Sequence, residues 1–190
     1  VHTEHTRMSD LERRASHDGL TGLLNRSKAE KMIRERLTER PGGIYALFII
    51  DLDYFKTAND QYGHIFGDRV LQHLAEKLQQ SVRSGDIVAR VGGDEFLIFL
   101  EYKDGFEMAV DRIFHTLRGE YEGFRMSVSM GIARTNGDLG DYETLFHCAD
   151  QALYAAKRGG RGQYKFYEDS MNDTLSAISP IDCDQKATSE

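Results

Sequence analysis

The spacing of apolar residues along the chain predicts both helices and strands. Apolar residues recur every three or four positions in four segments, which is the pattern of amphipathic helices, at 29–37, 70–82, 106–117 and 145–156. Residues 44–50 are nearly all apolar, as is typical of a central strand covered on both faces. Residues 124–132 alternate between apolar and polar positions, which predicts one half-buried strand, and 164–167 can form a short last strand.

The segment between the second and third helices predicts a β-hairpin with two carboxylates at its tip. Apolar runs at 87–91 and 96–100 flank the sequence Gly92-Gly93-Asp94-Glu95. Glycine allows a tight reversal and leaves bare backbone that a ligand can approach closely. The two acids could hold a metal ion there. Taken alone, the pattern also fits a solvated turn with two surface acids.

The order of the predicted elements indicates an α+β fold. A largely antiparallel central sheet of about five strands, flanked by helices, is the economical arrangement of these elements. We expect the compact domain to span 17–168. Residues 1–16 carry one thin apolar stripe, which fits either a helical linker with a coiled-coil seam or a frayed terminus. Residues 169–190 are rich in Ser, Asp and Thr and are expected to be a disordered tail.

The acidic balance of the chain restricts its partners. A formal net charge of -7 over 190 residues does not attract nucleic acid or an anionic membrane through the overall field. A polyphosphate ligand would therefore need a local basic pocket, a metal ion or both. No apolar run approaches the roughly 18 residues of a transmembrane helix, and no secretory signal is visible. We expect no nucleic-acid partner and no membrane segment in this chain.

The two cysteines favour a cytoplasmic location. Cys148 lies on an apolar helical face, which suits core packing, and Cys183 lies in a polar stretch. They form neither a disulfide framework nor a zinc-binding spacing. The chain begins with Val1, which suggests a piece of a longer protein, and an upstream region of that protein could anchor it in a membrane.

Two acids follow the buried central strand. Asp53 has an ordinary explanation as the N-cap of a following helix, whereas Asp51 has none. If the hairpin neighbours this strand, Asp51 converges with Asp94 and Glu95. Carboxylate and carbonyl oxygens form a hard site that suits Mg²⁺ rather than zinc. Such a site beside glycines suggests a nucleoside triphosphate ligand.

Side chains suited to phosphate and bases lie on two helical segments. Lys56 and Asn59 share one helix face, where a cation can meet phosphate and an amide can meet a base edge. Lys157 and Arg161 flank a glycine-terminated helix end. Each pair has a plainer interpretation, a solvated helix face for the first and charge–dipole pairing for the second. Asp68 likewise fits a first-turn helix acid.

Together, these segments resemble the GGDEF family of diguanylate cyclases over essentially the whole predicted domain. Six matching pieces occur in order and at compatible spacing, which makes the resemblance specific. They are DGLTGLLNR at 18–26, DLDYFK at 51–56 with ND at 59–60 and GH at 63–64, FGD at 66–68, RVGGDEF at 90–96, SVSMGIA at 127–133 and ADQALYAAK at 149–157.

The resemblance implies a fold related to class III nucleotide cyclases and polymerase palm domains. It implies condensation of two GTP molecules into cyclic di-GMP, with release of two pyrophosphates. Mg²⁺ or Mn²⁺ would be held by Asp51, the carbonyl of Leu52 and Asp94, with Glu95 as a further ligand. Asp94 is also the implied proton acceptor for the ribose 3′-hydroxyl, and Glu95 counts with it among the implied catalytic residues.

The resemblance also implies three groups of substrate-binding residues. The first group, Gly92 and Gly93, would lie against the triphosphate. Those near guanine or its ribose are Asn59, His64 and Asp68. The cations that neutralise phosphate are Lys56, Lys157 and Arg161, of which Lys56 also counts as catalytic, and Tyr54 and Phe55 complete the binding segment.

Two further implications concern assembly and regulation. One domain would hold one GTP, so catalysis requires an antiparallel homodimer, which an upstream sensory region could control through the linker. Arg83 and Asp86 match the family's RxxD site, where the product cyclic di-GMP binds and inhibits. The same residues fit a helix end, a glycine cap and an acid that leads into a strand. The further basic partners of such a site are not evident from the sequence.

Every catalytic position of the family pattern is matched, so we expect an active enzyme. Two alternatives stay open. The domain could be a catalytically silent module that binds GTP or cyclic di-GMP, or a cyclase that makes another cyclic nucleotide.

Overall fold

The computed structural model describes residues 13–135 and 140–171, in which a central sheet carries helices on both faces. The helices are α1 (Arg26–Glu39), α2 (Phe55–Tyr62), α3 (His64–Ser81), α4 (Phe106–Leu117) and α5 (Tyr142–Arg158), followed by a 3₁₀ turn at Asp169–Met171. The strands are β1 (Leu24–Asn25), β2 (Tyr45–Leu52), β3 (Ile87–Gly92), β4 (Glu95–Glu101), β5 (Gly119–Tyr121), β6 (Phe124–Met126), β7 (Val128–Arg134) and β8 (Tyr164–Phe166).

The central sheet has six strands in the order β1-β3-β4-β2-β7-β8. β2 is buried at every position, as its continuous apolar sequence predicted. It pairs antiparallel with β4 and β7, and β3 pairs antiparallel with β4, whereas the edge strands β1 and β8 pair parallel. The predicted α+β class with a largely antiparallel sheet is confirmed. The sixth strand, β1, was missed because two residues are too few to show a periodicity.

The single strand predicted at 124–132 is wrong, because the chain breaks it at Ser127. The first part, β6, pairs with β5 in a separate two-stranded sheet, and only β7 enters the central sheet. Ser127 leaves the strand pattern to bond with the end of β2: its carbonyl accepts from the N–H of Asp53 at 2.8 Å. Apolar alternation continues across this break because Met126 and Val128 are both buried in the same core.

Two hydrophobic cores cover the two faces of the sheet. Phe48 and Ile50 of β2 pack with residues of α3 and α4, while Leu47 and Ile49 pack with residues of α1 and α5. This division follows from the alternation of side chains along a strand. Each such buried side chain contributes about 1.5–3 kcal/mol, against about 0–1 kcal/mol for an exposed ion pair, so the cores hold the fold.

The ends of several elements differ from their predicted positions. α3 begins at His64, so Asp68 lies in its second turn rather than its first. Gly67, buried in the first turn of α3, interrupts the apolar periodicity that would have revealed the start at His64. The linker predicted at 1–16 is described only from residue 13 onward, where 13–16 are helical, and 172–190 lie outside the described residues. None of the helices described is long and apolar enough to cross a membrane.

Candidate active site

The end of β2 and the β3–β4 turn lie side by side because β2 and β4 are antiparallel neighbours. Asp51 stands directly opposite Glu95 in the register of these two strands. The backbone N–H of Leu52 donates to the carbonyl oxygen of Asp94 at 3.2 Å. The predicted meeting of Asp51 with Asp94 therefore occurs at this end of the sheet.

Asp51 is a buried carboxylate in contact with a cation. The ammonium of Lys157, at the last turn of α5, forms an ion pair with its Oδ2. Burial, opposed by Lys157 and reinforced by the charge of Asp94, raises the pKa of Asp51 to about 6. Since burial wins although a lysine is present, the negative charge of Asp51 is incompletely compensated. A further positive charge would be stabilised here.

A cleft of about 210 Å³ opens beside this pair. It brings together most of the residues that the sequence assigned to metal and phosphate. They are Asp51, Leu52, Tyr54, Phe55, Lys56, Asp94, Lys157 and Arg161, with Asp53 as the additional member. Three cations and three carboxylates thus share one small concave surface, which suits a phosphate chain bound together with a divalent metal ion.

The glycine turn is fixed by a residue whose role the sequence did not reveal. Gly92 and Gly93 are exposed, and Gly93 has a φ of +48°, which side chains disfavour. The guanidinium of Arg90 donates to the carbonyl oxygen of Gly93 at 2.9 and 2.7 Å. Arg90 also pairs with Asp18 at 3.2 Å. The only signal in the sequence was the presence of both residues in the family-like segments.

Asp18 is well prepared for this pairing. It accepts hydrogen bonds from the N–H of Thr21 at 2.8 Å and from its hydroxyl at 2.7 Å. Burial opposes ionisation, but the bonds from Thr21 and Arg90 prevail and lower the pKa of Asp18. A charged Asp18 therefore holds Arg90 against the turn.

Glu95 lies outside the cleft. Burial raises its pKa, and the charge of Asp150 adds to this effect. Within 13–135 and 140–171, no three His, Cys, Asp or Glu side chains are grouped as they would be around a fully protein-bound metal ion. The role of Glu95 as a further metal ligand stays a prediction.

The donor set nevertheless fits a hard divalent cation. Asp51, Asp94 and the carbonyl of Leu52 offer only oxygen atoms. Mg²⁺ usually keeps several waters and is bound by one or two carboxylates together with substrate phosphates. The raised pKa of Asp51 shows the unfavourable negative charge that such a cation would relieve. These residues fit Mg²⁺ or Mn²⁺ bound with a phosphate ligand, and they do not fit zinc.

The three residues predicted near the nucleoside do not line this cleft. His64 and Asp68 are exposed on α3. Asn59 of α2 turns its Oδ1 against Gly67, where any side chain would collide with it. This oxygen is shielded from solvent and has no hydrogen-bond partner among the residues described. Gly67 therefore makes room for Asn59, which the sequence alone did not indicate.

Arg83 and Asp86 line a second, larger concavity of about 540 Å³. Three further basic residues, Arg40, Lys103 and Arg112, line the same surface. The plainer interpretation also holds, because the carboxylate of Asp86 accepts from the N–H of Arg83 at 2.8 Å and closes the turn. The side chain of Asp86 thus has a structural role whether or not a ligand binds.

The prediction that Asp53 caps a helix is wrong. The residue before α2 is Tyr54, with a φ of 59°, and it makes no side-chain capping bond. Asp53 is buried and accepts hydrogen bonds from β7 and from the loop after α5. Donors so distant in sequence cannot be recognised from the chain alone.

Known proteins share both this sequence pattern and this fold. A family model, diguanylate cyclase GGDEF domain, matches residues 15–163. The bifunctional diguanylate cyclase/cyclic di-GMP phosphodiesterase MucR of Pseudomonas aeruginosa is 37% identical over 86% of this chain and 25% of its own length.

Two solved structures extend the likeness to three dimensions. The GGDEF domain of PA1120 (TpbB or YfiN) from Pseudomonas aeruginosa matches with a TM-score of 0.78 and 33% identity, covering 84% of this chain and 99% of that one. The coiled coil and GGDEF domain of DgcB from Caulobacter crescentus, in complex with c-di-GMP, matches with a TM-score of 0.78 and 25% identity, covering 87% and 92%.

The chain spans between 21% and 46% of the length of curated relatives that it matches. The family match covers well over half of this chain, and its residues include both the cleft and the glycine turn. The chain belongs to the GGDEF-domain family of diguanylate cyclases.

Proposed function

We propose that this domain condenses two GTP molecules into cyclic di-GMP and two pyrophosphates. In each half-reaction a ribose 3′-oxygen bonds to the α-phosphorus of the other nucleotide, and the bond from that phosphorus to pyrophosphate breaks. The observation that carries the proposal is the convergence of Asp51 and Asp94 with three cations in one cleft beside the glycine turn. Phosphoryl transfer depends mainly on positioning and charge neutralisation, which this arrangement supplies.

The residues of the cleft divide the work by charge. Lys56, Lys157 and Arg161 would neutralise the triphosphate, and the exposed backbone of the glycine turn would lie along it. Asp51, Asp94 and the Leu52 carbonyl would hold Mg²⁺ or Mn²⁺, which, when bound, lowers the cost of the alkoxide and of the leaving pyrophosphate. Asp94 would accept the proton of the 3′-hydroxyl.

Guanine would be read outside the phosphate cleft. Asn59 would turn its amide toward a base edge, because its Oδ1 has no hydrogen-bond partner among the described residues. The exposed carboxylate of Asp68 can accept from two guanine N–H groups. Adenine lacks that donor pair and would leave the carboxylate unpaired. His64 would lie near the nucleoside.

Joining two nucleotides requires two clefts that face each other. A cleft of this size suits one triphosphate chain, so we propose an antiparallel homodimer in which each copy presents one GTP. Residues 13–16 are helical and lead into the domain, and they would connect it to an upstream region of the same protein. A tether of this kind raises the effective concentration of the second cleft without adding contacts.

The function is tested by incubating the protein with GTP and Mg²⁺ and separating the products by chromatography. We expect cyclic di-GMP and pyrophosphate in a ratio of one to two, with a specific activity that rises with protein concentration. Parallel reactions with ATP, and with ATP and GTP mixed, identify any other cyclic product. GTP that binds but remains intact at high protein concentration would instead establish the silent binding module.

We also propose that cyclic di-GMP inhibits the enzyme at the surface lined by Arg83, Asp86 and Arg112. Guanidinium groups can form bidentate hydrogen bonds with phosphates and with guanine edges, which makes an arginine cluster suitable for a cyclic dinucleotide. Arg40 and Lys103 add positive charge to the same surface.

A further inference from the structure

Asp53 is a buried carboxylate beside the cleft that the proposed reaction leaves without a role. It is 3% exposed. Its Oδ1 accepts from the hydroxyl of Ser129 at 2.7 Å. Its Oδ2 accepts from the hydroxyl of Ser127 at 2.8 Å and from the N–H of Gly162 at 2.9 Å. Burying a charge is costly unless hydrogen bonds compensate it, and these three bonds do so.

The bond to Gly162 fastens the loop after α5 to the end of β2. Gly162 has a φ of +58°, and a side chain there would crowd the hydroxyl of Ser127 at 3.1 Å. The bond therefore requires a glycine, which allows the loop backbone to approach the carboxylate. No other described hydrogen bond joins this loop to the β2–α2 connection.

The residue just before this anchor is held in an unusual conformation. Arg161 has a φ of 62°, which is disfavoured for a residue with a side chain. Its N–H donates to the carbonyl of Ala156 at 3.1 Å, and the next N–H is the one bound by Asp53. The backbone of Arg161 is thus fixed on both sides, by α5 and by Asp53.

This conformation decides where the side chain of Arg161 goes. Its guanidinium lies over the ring of Tyr54 at 5.6 Å and lines the cleft with Lys56 and Lys157. Tyr54 follows Asp53 directly and also has a positive φ, of 59°. One buried carboxylate therefore organises both the arginine and the ring on which it stacks.

We propose that Asp53 is a positioning residue for triphosphate binding, which acts by holding Arg161 in its cleft-facing conformation. The proposal rests on the proposed function, because the ligand is GTP. Both carboxylate oxygens of Asp53 are already bonded to protein donors, so the proposal gives Asp53 no contact of its own with the ligand. Its effect on affinity must therefore pass through Arg161, and it must disappear when the side chain of Arg161 is removed.

The test is a double-mutant cycle on nucleotide binding. The probe is a GTP analogue with a methylene bridge between the α- and β-phosphates, so that no pyrophosphate leaves, titrated calorimetrically with Mg²⁺ present. Arg161→Gly removes the side chain and tolerates the positive φ. Each of Asp53→Ala and Arg161→Gly should weaken binding by about tenfold, the loss of one charge-assisted contact. The double variant should bind no more weakly than Arg161→Gly alone.

Two further variants separate positioning from stability. Ser129→Ala removes one donor to Asp53 but keeps the Gly162 bond, so it should lower the melting temperature and leave the affinity unchanged. Asp53→Asn keeps the shape with one carbonyl acceptor and should restore part of the affinity. If Asp53→Ala does not fold, Asp53→Asn takes its place in the cycle with a loss of about threefold.

A ligand-free measurement completes the design. Amide exchange of Gly162, followed by NMR, should accelerate in Asp53→Ala and Asp53→Asn but not in Arg161→Gly. If the losses of affinity added up in the double variant, or if amide exchange of Gly162 were unchanged in the Asp53 variants, the positioning role would be overturned and the proposed function would stand. A wild-type domain that binds no GTP analogue would overturn the proposed function as well, and the exchange data would still show whether Asp53 anchors the loop.

Discussion

The guanidinium of Arg90 holds the carbonyl oxygen of Gly93 with two hydrogen bonds, of 2.9 and 2.7 Å. The same guanidinium is paired at 3.2 Å with Asp18, and its side chain is only 14% exposed. Gly93 has a positive φ and no neighbour that would confine a side chain, so glycine alone does not fix the turn. Arg90 supplies the rigidity that the glycines lack.

Arg90→Ala should therefore impair both the fold and the reaction. It removes both bonds to Gly93 and leaves Asp18 without its cation. Hydrogen bonds to charged groups contribute about 1.5–3 kcal/mol, so we expect the free energy of unfolding to fall by about 2 kcal/mol in urea titrations. Cyclic di-GMP formation should fall by about tenfold or more, because the turn would no longer hold Asp94 in place.

The matched control is Arg34→Ala. Arg34 also joins two elements, α1 and α5, through ion pairs with Glu30 and Glu143, but it lies away from the cleft. This variant should lose some stability and keep its turnover. If both variants lost activity in proportion to their stability, Arg90 would have no specific role in the turn.

The meeting of Asp51 with Asp94 could be predicted from the sequence because both acids end recognisable apolar runs. A buried strand and a glycine hairpin leave few ways to pair, and antiparallel neighbours bring these two ends together. The cations followed less directly. Lys157 and Arg161 reach the cleft only because α5 packs along β7 and β2, and the sequence cannot show that packing.

Asp53 shows what a sequence cannot give. Its donors are Ser127, Ser129 and Gly162, which lie 74, 76 and 109 residues away. Local sequence rules predicted only that Asp53 caps a helix, and its hydrogen bonds to distant residues override that preference. The break in the predicted strand at Ser127 has the same cause, since Ser127 turns out of the strand to bond with Asp53.

Asp94→Ala should abolish turnover while leaving the fold intact. The part of Asp94 that the fold uses is its carbonyl, which accepts from Leu52 N–H and survives the substitution. We expect a change of about 0.5 kcal/mol or less in unfolding free energy, as for surface positions, and a rate loss of at least about a hundredfold. The measurements are urea denaturation and product chromatography. Near-normal turnover would remove Asp94 from the mechanism.

The raised pKa of Asp51 predicts a pH-dependent stability of the metal-free protein. Folding moves this pKa from 3.8 to about 6, so the folded state binds the proton more tightly than the unfolded chain. The contribution of Asp51 to stability is therefore fully present below about pH 4 and is lost as the pH rises through 6. Asp51→Asn has no charge to bury and should escape this loss.

The measurement is the melting temperature of both proteins in EDTA, at about pH 5 and about pH 7.5. The melting temperature of Asp51→Asn minus that of the wild type should increase from about pH 5 to about pH 7.5. Adding Mg²⁺ with the GTP analogue should stabilise the wild type more than the variant. A difference between the proteins that shrank as the pH rose would contradict a raised pKa.

Gly131 is required by the packing of α5 on β7. A Cβ at this position would collide with the backbone of α5 at Ala149 and Leu153. Backbone cannot rotate away as a side chain can, so Gly131→Ala should cost about 1–3 kcal/mol or more in unfolding free energy. Gly42→Ala is the control, since nothing lies near its Cβ and its φ is ordinary. If the two variants were equally stable in urea, the packing of α5 on β7 would not require a glycine at position 131.

Arg83→Ala should weaken product inhibition without lowering the maximal rate. Arg83 lines the basic surface with its side chain, and its backbone N–H, which donates to Asp86, is unaffected by truncation of that side chain. Asp86→Ala would be a poorer test because it also opens that turn. Losing one charged guanidinium contact should raise the cyclic di-GMP concentration for half-inhibition by about tenfold or more.

The measurement is the initial rate of the reaction with added cyclic di-GMP. The control is Arg118→Ala, since Arg118 stacks on Phe114 and does not line this surface. Unchanged inhibition in Arg83→Ala would reduce Arg83 and Asp86 to a helix-ending turn.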